Sequence, residues 1–307
     1  PPRHGDVRSV VQRLFAPARL AEPAARARDL AERVFDGYAR FDAVADLAQP
    51  VSMQTIARVL GLSMADADRL SPHVETLSPA IEVDADPAIE AAGWFALASL
   101  DALLADIMRD PQGTLAPSGA LFRLRQEIAA DPANARALSA QCSLLLFAGH
   151  ATTQSLIANM VHALAAHPHV LKDVRAGAIS MEAVVEETLR FDPPAQIAAR
   201  SALGPVTIGA QRVEPGQRLL LLLGSANRDP DQFADADSFN PKRSRAVHLA
   251  FGGGIHACVG MALARVEARA VLEALVASGR RLSLMGPPRW SSGLSVRTLA
   301  NLPMALE

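Results

Sequence analysis

The chain has 307 residues, 50% of them hydrophobic and 20% charged, with a formal net charge of −2. It is long enough to bury a large core, and with no basic run or zinc-finger spacing it offers nucleic acid no surface. One tyrosine and two cysteines exclude a base-stacking platform and a disulfide framework and point to a reducing, cytoplasmic compartment. No uninterrupted apolar run reaches the ~20 residues that span a bilayer, and no signal peptide is visible, so no membrane partner is expected.

Alanine, leucine, arginine and glutamate at helical spacing predict helices over 5–15, 23–38, 52–60, 64–78, 86–109, 118–131, 135–166, 170–177 and 181–190. The segment 135–166 is apolar on every face between Leu144 and Ala148, as befits a helix running through the core. From 195 to 224, short β-prone runs (Val206 to Ile208, Leu219 to Leu223) separated by glycine and proline predict small strands and turns. An irregular stretch over 226–245, rich in Asp, Asn and Pro, exceeds ordinary loop length and is expected to wrap something. A last helix over about 260–279 and a tail with one or two hairpins complete a single, mainly α domain over 1–307 with small β-sheets. No internal repeat is present.

Residues 249–265 carry the chemistry. Three glycines after Phe251 allow positive φ and close approach to a flat ligand. Cys258 then stands just before a helix whose dipole and free N–H groups favour a thiolate, and a metal on the sulfur would complete its deprotonation. The alternative is a structural cysteine beside a turn. A phosphate loop is excluded, because the Walker spacing and its lysine are missing.

The run Phe251-Gly-Gly-Gly-Ile-His256-Ala-Cys258-Val-Gly260 resembles the cysteine-ligand loop of the cytochrome P-450 superfamily. Five further stretches agree. Glu187-Thr-Leu-Arg190 resembles the family's Glu-x-x-Arg pair, whose usual third partner, just before Phe239, is here Ser238 instead of arginine. Asn227-Arg-Asp-Pro230 and Phe239-Asn-Pro-Lys-Arg243 resemble the flanks of its meander, and Pro1-Pro-Arg-His4 with Arg8 the start of its C helix. Ala148-Gly149-His150-Ala151-Thr152-Thr153 resembles the oxygen-binding groove of its I helix and is expected to interrupt the helix at that point. Read by itself, Gly149 marks a close helix–helix contact equally well, and Thr152 can bond back to a carbonyl.

The resemblance implies the cytochrome P-450 fold from helix C to helix L, lacking the usual N-terminal portion. It implies haem b held by Cys258 as the metal ligand, with Phe251 and Gly260 beside the sulfur and His4, Arg8, Arg200 and His256 toward the propionates. Thr152, with Ala148 and Gly149, becomes the catalytic, oxygen-side group. The activity implied is oxidation of a small or medium apolar substrate by dioxygen, with electrons from a ferredoxin and its reductase. Arg13, Lys242, Arg243 and Arg245 are candidates for the docking face. Two departures stand out: Ala151 occupies the place of the usual acid, which leaves open a peroxide-driven or non-oxidative haem enzyme, and the missing N-terminal portion leaves open a non-catalytic haem-binding or partner-recruiting protein. Cys142, with no loop around it, reads as a core residue.

Overall fold

The computed structural model describes residues 2–109, 115–130, 135–244 and 247–307; Pro1 and Arg245 lie outside them. Helices occupy α1 (Pro2–Leu14), α2 (Ala21–Gly37), α3 (Gln49–Leu60), α4 (Met64–Ala80), α5 (Pro87–Arg109), α6 (Ala120–Ala130) and α7 (Ala135–Ala166), followed by α8 (Pro168–Arg175), α9 (Met181–Phe191), α10 (Leu223–Ala226) and α11 (Met261–Ala277). The mainly helical reading therefore holds, with ends set by local chemistry. Ser63 and Ser180 cap α4 and α9 by accepting the N–H of Asp66 and Ala183, each at 3.1 Å. A π-helical turn over Ala43–Ala48 precedes α3, held by Asp42 accepting the N–H of Val44.

The strands are short and antiparallel. β1 (Arg40–Asp42), β9 (Pro303–Leu306) and β6 (Leu282–Leu284) make a three-stranded sheet in that order. β2 (Ile197–Ser201) pairs with β5 (Arg218–Leu222), β3 (Val206–Ile208) with β4 (Gln211–Val213), and β7 (Arg289–Trp290) with β8 (Leu299–Asn301). The tail thus holds one hairpin, β7–β8, while β6 and β9 close a sheet on β1 from much earlier in the chain. Among the described residues, α5 alone is long and apolar enough to cross a membrane by length and composition, which the search for uninterrupted apolar runs did not detect. Asp101 breaks that run, and its carboxylate accepts the hydroxyl of Ser143 on α7.

Two apolar cores flank the midpoint of α7. Toward its start, Leu138, Cys142, Leu145 and Leu146 pack with α3 to α6; toward its end, Leu156 to Leu164 pack with α2, α9 and α11. Between them the helix is built of small and polar residues, Ala148 to Ser155, and these leave the space used below.

The long stretch after α10 wraps a buried ion pair. Arg190 donates to both oxygens of Glu187 at 2.8 Å and to the carbonyls of Asn227, Ala236 and Ser238 at 2.8–3.0 Å. The partner missing at Ser238 is supplied five residues later: Arg243 Nε donates to Glu187 Oε1 at 3.1 Å, and the N–H of Asn240 donates to the same oxygen at 2.7 Å. Glu187 and Arg190 are 1% and 0% exposed, so neither charge has water as an alternative. Arg190→Ala should lower the unfolding free energy by about 3–5 kcal/mol, because it takes the donor from Glu187 Oε2 and from the buried carbonyls of Asn227 and Ala236. Urea denaturation at unchanged slope will measure this; a loss no larger than that of an exposed ion pair, below about 1 kcal/mol, would refute it.

Candidate active site

The cysteine loop is fastened before it reaches the sulfur. Asn227 Oδ1 accepts the N–H of Leu249 at 2.7 Å, and Gly252 and Gly254 take φ of 63° and 67°, where a side chain would be strained. The N–H of Cys258 donates to the carbonyl of Phe251 at 2.9 Å, closing the loop ahead of α11. Burial among the surrounding walls pushes the Cys258 thiol above its ordinary value; the N–H of Gly260 and the charges of Arg8 and Arg265 pull the other way without prevailing. The helix start and the two arginines thus lower the thiol's pKa, as the sequence leads one to expect, but by less than desolvation raises it.

Cys258, Phe251 and Gly260 form one wall of a cleft of about 330 Å³, and Ala148, Gly149 and Thr152 of α7 line it as well. Leu145, Leu156, Ile197 and Leu263 make its sides apolar, and Arg200 and His256 also line it. Arg200 keeps Nη1 on the carbonyl of its neighbour Ala199 at 2.8 Å. The other two predicted residues sit just behind this lining. Arg8 Nη2 donates to the carbonyl of Ala257 at 2.7 Å, and the His4 ring meets that of His256 edge-on at 4.7 Å. Desolvation, and next the neighbouring His256, lower the pKa of His4. This set of groups fits a flat, mostly apolar ligand with an anionic edge and a metal that accepts one sulfur.

Helix α7 is not interrupted at Ala148–Thr153; it runs unbroken from Ala135 to Ala166. Thr152 nevertheless bonds back, its hydroxyl donating to the carbonyl of Ala148 at 2.7 Å. Gly149 lines the cleft, but a Cβ there would stand 2.6 Å from Cδ1 of Ile56, so its missing side chain serves the approach of α3. Ala151 and His150 face away from the cleft and line a neighbouring cavity; Ala151 is buried. His150 is buried too, its Nδ1 2.9 Å from Ser52 Oγ, and desolvation lowers its pKa to about 4.

The sequence reading missed a second layer behind the sulfur. Arg265 stacks 4.6 Å over the Phe251 ring and pairs with both oxygens of Glu186 at 2.7 and 2.8 Å. Glu186 also meets His248 at 3.2 Å, and these contacts hold its pKa near 2 against burial. The available signal was Arg265, seven residues after Cys258 and just over one turn into α11. The proposed docking cations fare differently. Arg13 pairs with Glu127 at 3.1 Å and Lys242 with Asp173 at 2.7 Å. Arg243 belongs to the buried Glu187 network, and Arg245 lies outside the described residues. Cys142 is buried, 3.5 Å from the Met108 sulfur, and its thiol is pushed up to about 12, as suits a core residue.

A cytochrome P450 family model matches residues 180–278. The chain is 33% identical to the cytochrome P450 monooxygenase PikC of Streptomyces venezuelae over 99% of its own length and 74% of that protein. It is likewise 33% identical to the cyclomarin C epoxidase CymV of Salinispora arenicola, over 94% of this chain and 74% of that one. The crystal structure of Mycobacterium smegmatis CYP164A2 superposes with a TM-score of 0.88 at 32% identity, covering 99% of this chain and 80% of that one.

Two outcomes follow from the geometry of α7. Gly149→Ala should cost about 1–3 kcal/mol in unfolding free energy and markedly less in an Ile56→Ala background, which removes the clashing atoms. Equal costs in both backgrounds would show that the glycine does not serve this contact. His150 is neutral when folded and titrates at 6.5 when unfolded, so the unfolded chain binds the extra proton between pH 6.5 and about 4. Its contribution is whole above pH 6.5 and declines by at most about 3 kcal/mol as the pH falls through that window. Unfolding curves of wild type and His150→Leu across this range should converge at the acid end.

Proposed function

The chain belongs to the cytochrome P450 family and is an oxidoreductase; we propose that it oxidises a small or medium apolar organic substrate in the cleft beside Cys258. The observation that carries this reading is one apolar cleft lined both by the Cys258 thiol and by the Thr152 hydroxyl. The family's haem-thiolate cofactor, haem b in this proposal, would be held through its metal by the Cys258 sulfur. Phe251 and Gly260 would flank the sulfur, and Arg200, His256, Arg8 and His4 would face the propionates. Bound there, it supplies the activation of dioxygen, with the thiolate's electron density favouring O–O cleavage.

The chain's own contributions follow from its atoms. Arg8 and Gly260 steady the sulfur loop, one through the carbonyl of Ala257 and the other through its N–H. Thr152 gives its proton to the carbonyl of Ala148, so its oxygen presents lone pairs to donors in the cleft. Rotation about Cβ–Oγ1 would re-aim that proton into the cleft. Leu145, Leu156 and Ile197 exclude water and offer an apolar substrate its surface. Ferredoxin and its reductase are the electron donors in this reading, and the two unpaired cysteines suit the cytoplasm.

No carboxylate lines the cleft among the described residues, and this favours a second reading, oxidation driven by peroxide. The carbon monoxide difference spectrum of the reduced, haem-loaded protein tests the first step of both. Wild type should show the thiolate-type band and Cys258→Ser should lose it; a histidine-type band in wild type would refute the assignment. Product formed with hydrogen peroxide and no reductase would then select the second reading.

A further inference from the structure

A second cavity, about 670 Å³ in volume, lies against α7 and shares no lining residue with the cleft. Around it stand the carboxylates of Glu75, Glu82, Asp84 and Asp86, and no lysine or arginine lines it among the described residues. Among the described residues none of the four carboxylates has an ion-pair partner. Among the described residues, Glu75 accepts only from the side chains of Gln49 and Ser71, and Glu82 only from the N–H groups of Ser295 and Val296.

His150 also lines this cavity, is 1% exposed, and has an Nε2 with no partner. Its tautomer follows from its neighbour. Ser52 Oγ lies 2.8 Å from the carbonyl of Ala48 and 3.2 Å from that of Gln49, and with its one proton on these carbonyls it accepts from His150 Nδ1. The remaining nitrogen, Nε2, is therefore a lone pair. A buried acceptor with nothing to accept is costly until a donor arrives. Meanwhile Val74, Ile89, Val296 and Leu299 give the cavity apolar wall between its polar groups.

We propose that this cavity binds a protonated amine: the ammonium N–H donates to His150 Nε2 or a carboxylate, and the apolar remainder covers the aliphatic wall. An anion would meet four carboxylates with no compensating cation, and a neutral apolar molecule would leave Nε2 unsatisfied. The site is distinct from the cleft in which the family reaction is placed, so the two assignments can fail separately.

The test uses the haem-loaded protein and three matched probes, N,N-dimethyloctylamine, 1-octanol and octanoate, with affinity read by calorimetry and haem absorbance recorded in parallel. At low salt the amine should bind about tenfold tighter than the alcohol, with octanoate weakest. That preference should shrink as sodium chloride rises from about 0.05 to about 0.5 M. It should also fall about fivefold or more in His150→Leu and in the double variant Glu75→Gln/Asp84→Asn. Glu75 and Asp84 are exposed, so the double variant decides the matter even where His150→Leu fails to fold. Equal binding of amine and alcohol, an unchanged preference in the double variant, or a shift of haem absorbance to longer wavelength, which places the nitrogen on iron, would each overturn the proposal.

Discussion

Arg190 carries a charge into a place without water, and much of the chain is arranged around that fact. A guanidinium has five N–H donors, and five acceptors are present: two carboxylate oxygens of Glu187 and the carbonyls of Asn227, Ala236 and Ser238. Three of these acceptors are backbone groups of the segment after α10, so satisfying the arginine dictates the path of that segment. Asn227 extends the constraint. Its carbonyl serves Arg190, and its side chain takes the N–H of Leu249, the entry to the cysteine loop. The sulfur's position is thus linked, bond by bond, to an ion pair on α9 that never touches it.

Helix α7 does the complementary work with what it lacks. Its two ends are anchored in separate apolar cores, and its middle carries alanine, glycine, threonine and serine where leucine would fill the space. One face of that middle borders the cleft and the next borders the acid-rimmed cavity. Each small residue there has its own reason. Gly149 yields room to Ile56, whereas Ala148 accepts the Thr152 hydroxyl and leaves the cleft open beside it. His150 closes the gap to α3 through Ser52 and leaves one nitrogen free.

The helices were legible in the sequence because their apolar period is long and repeated; α5, α7 and α9 fall within a residue or so of where periodicity puts them. What escaped was non-local. β1 is three residues whose only reason to be a strand is β9, more than 250 positions later. Arg243 looked like a surface cation, because nothing in its neighbourhood says that Glu187 is buried nearby. Likewise the motif predicted which residues gather around Cys258, but Arg8 turned out to hold a backbone carbonyl, and the Glu186–Arg265–Phe251 stack had no pattern to announce it. Motifs encode the residues that must meet a ligand, while the groups that steady them are chosen by packing.

The balance at Cys258 shows what such steadying can achieve. Three features near the sulfur lower its pKa: the Gly260 N–H and the charges of Arg8 and Arg265. Each is already partly committed. Arg8 is bonded to Ala257, and Arg265 is neutralised by Glu186 while lying over the Phe251 ring. Shared charges reach the sulfur weakened, and desolvation by the cleft walls prevails, so the side chain by itself stays a thiol. The loop therefore supplies orientation and one directed hydrogen bond, and the charge that completes deprotonation has to come from a metal. A strongly acidic cysteine would instead be nucleophilic and open to oxidation whenever the site stood empty. A neutral sulfur avoids both although the residue is exposed, so what guards it before a metal binds is its protonation and not a lack of access.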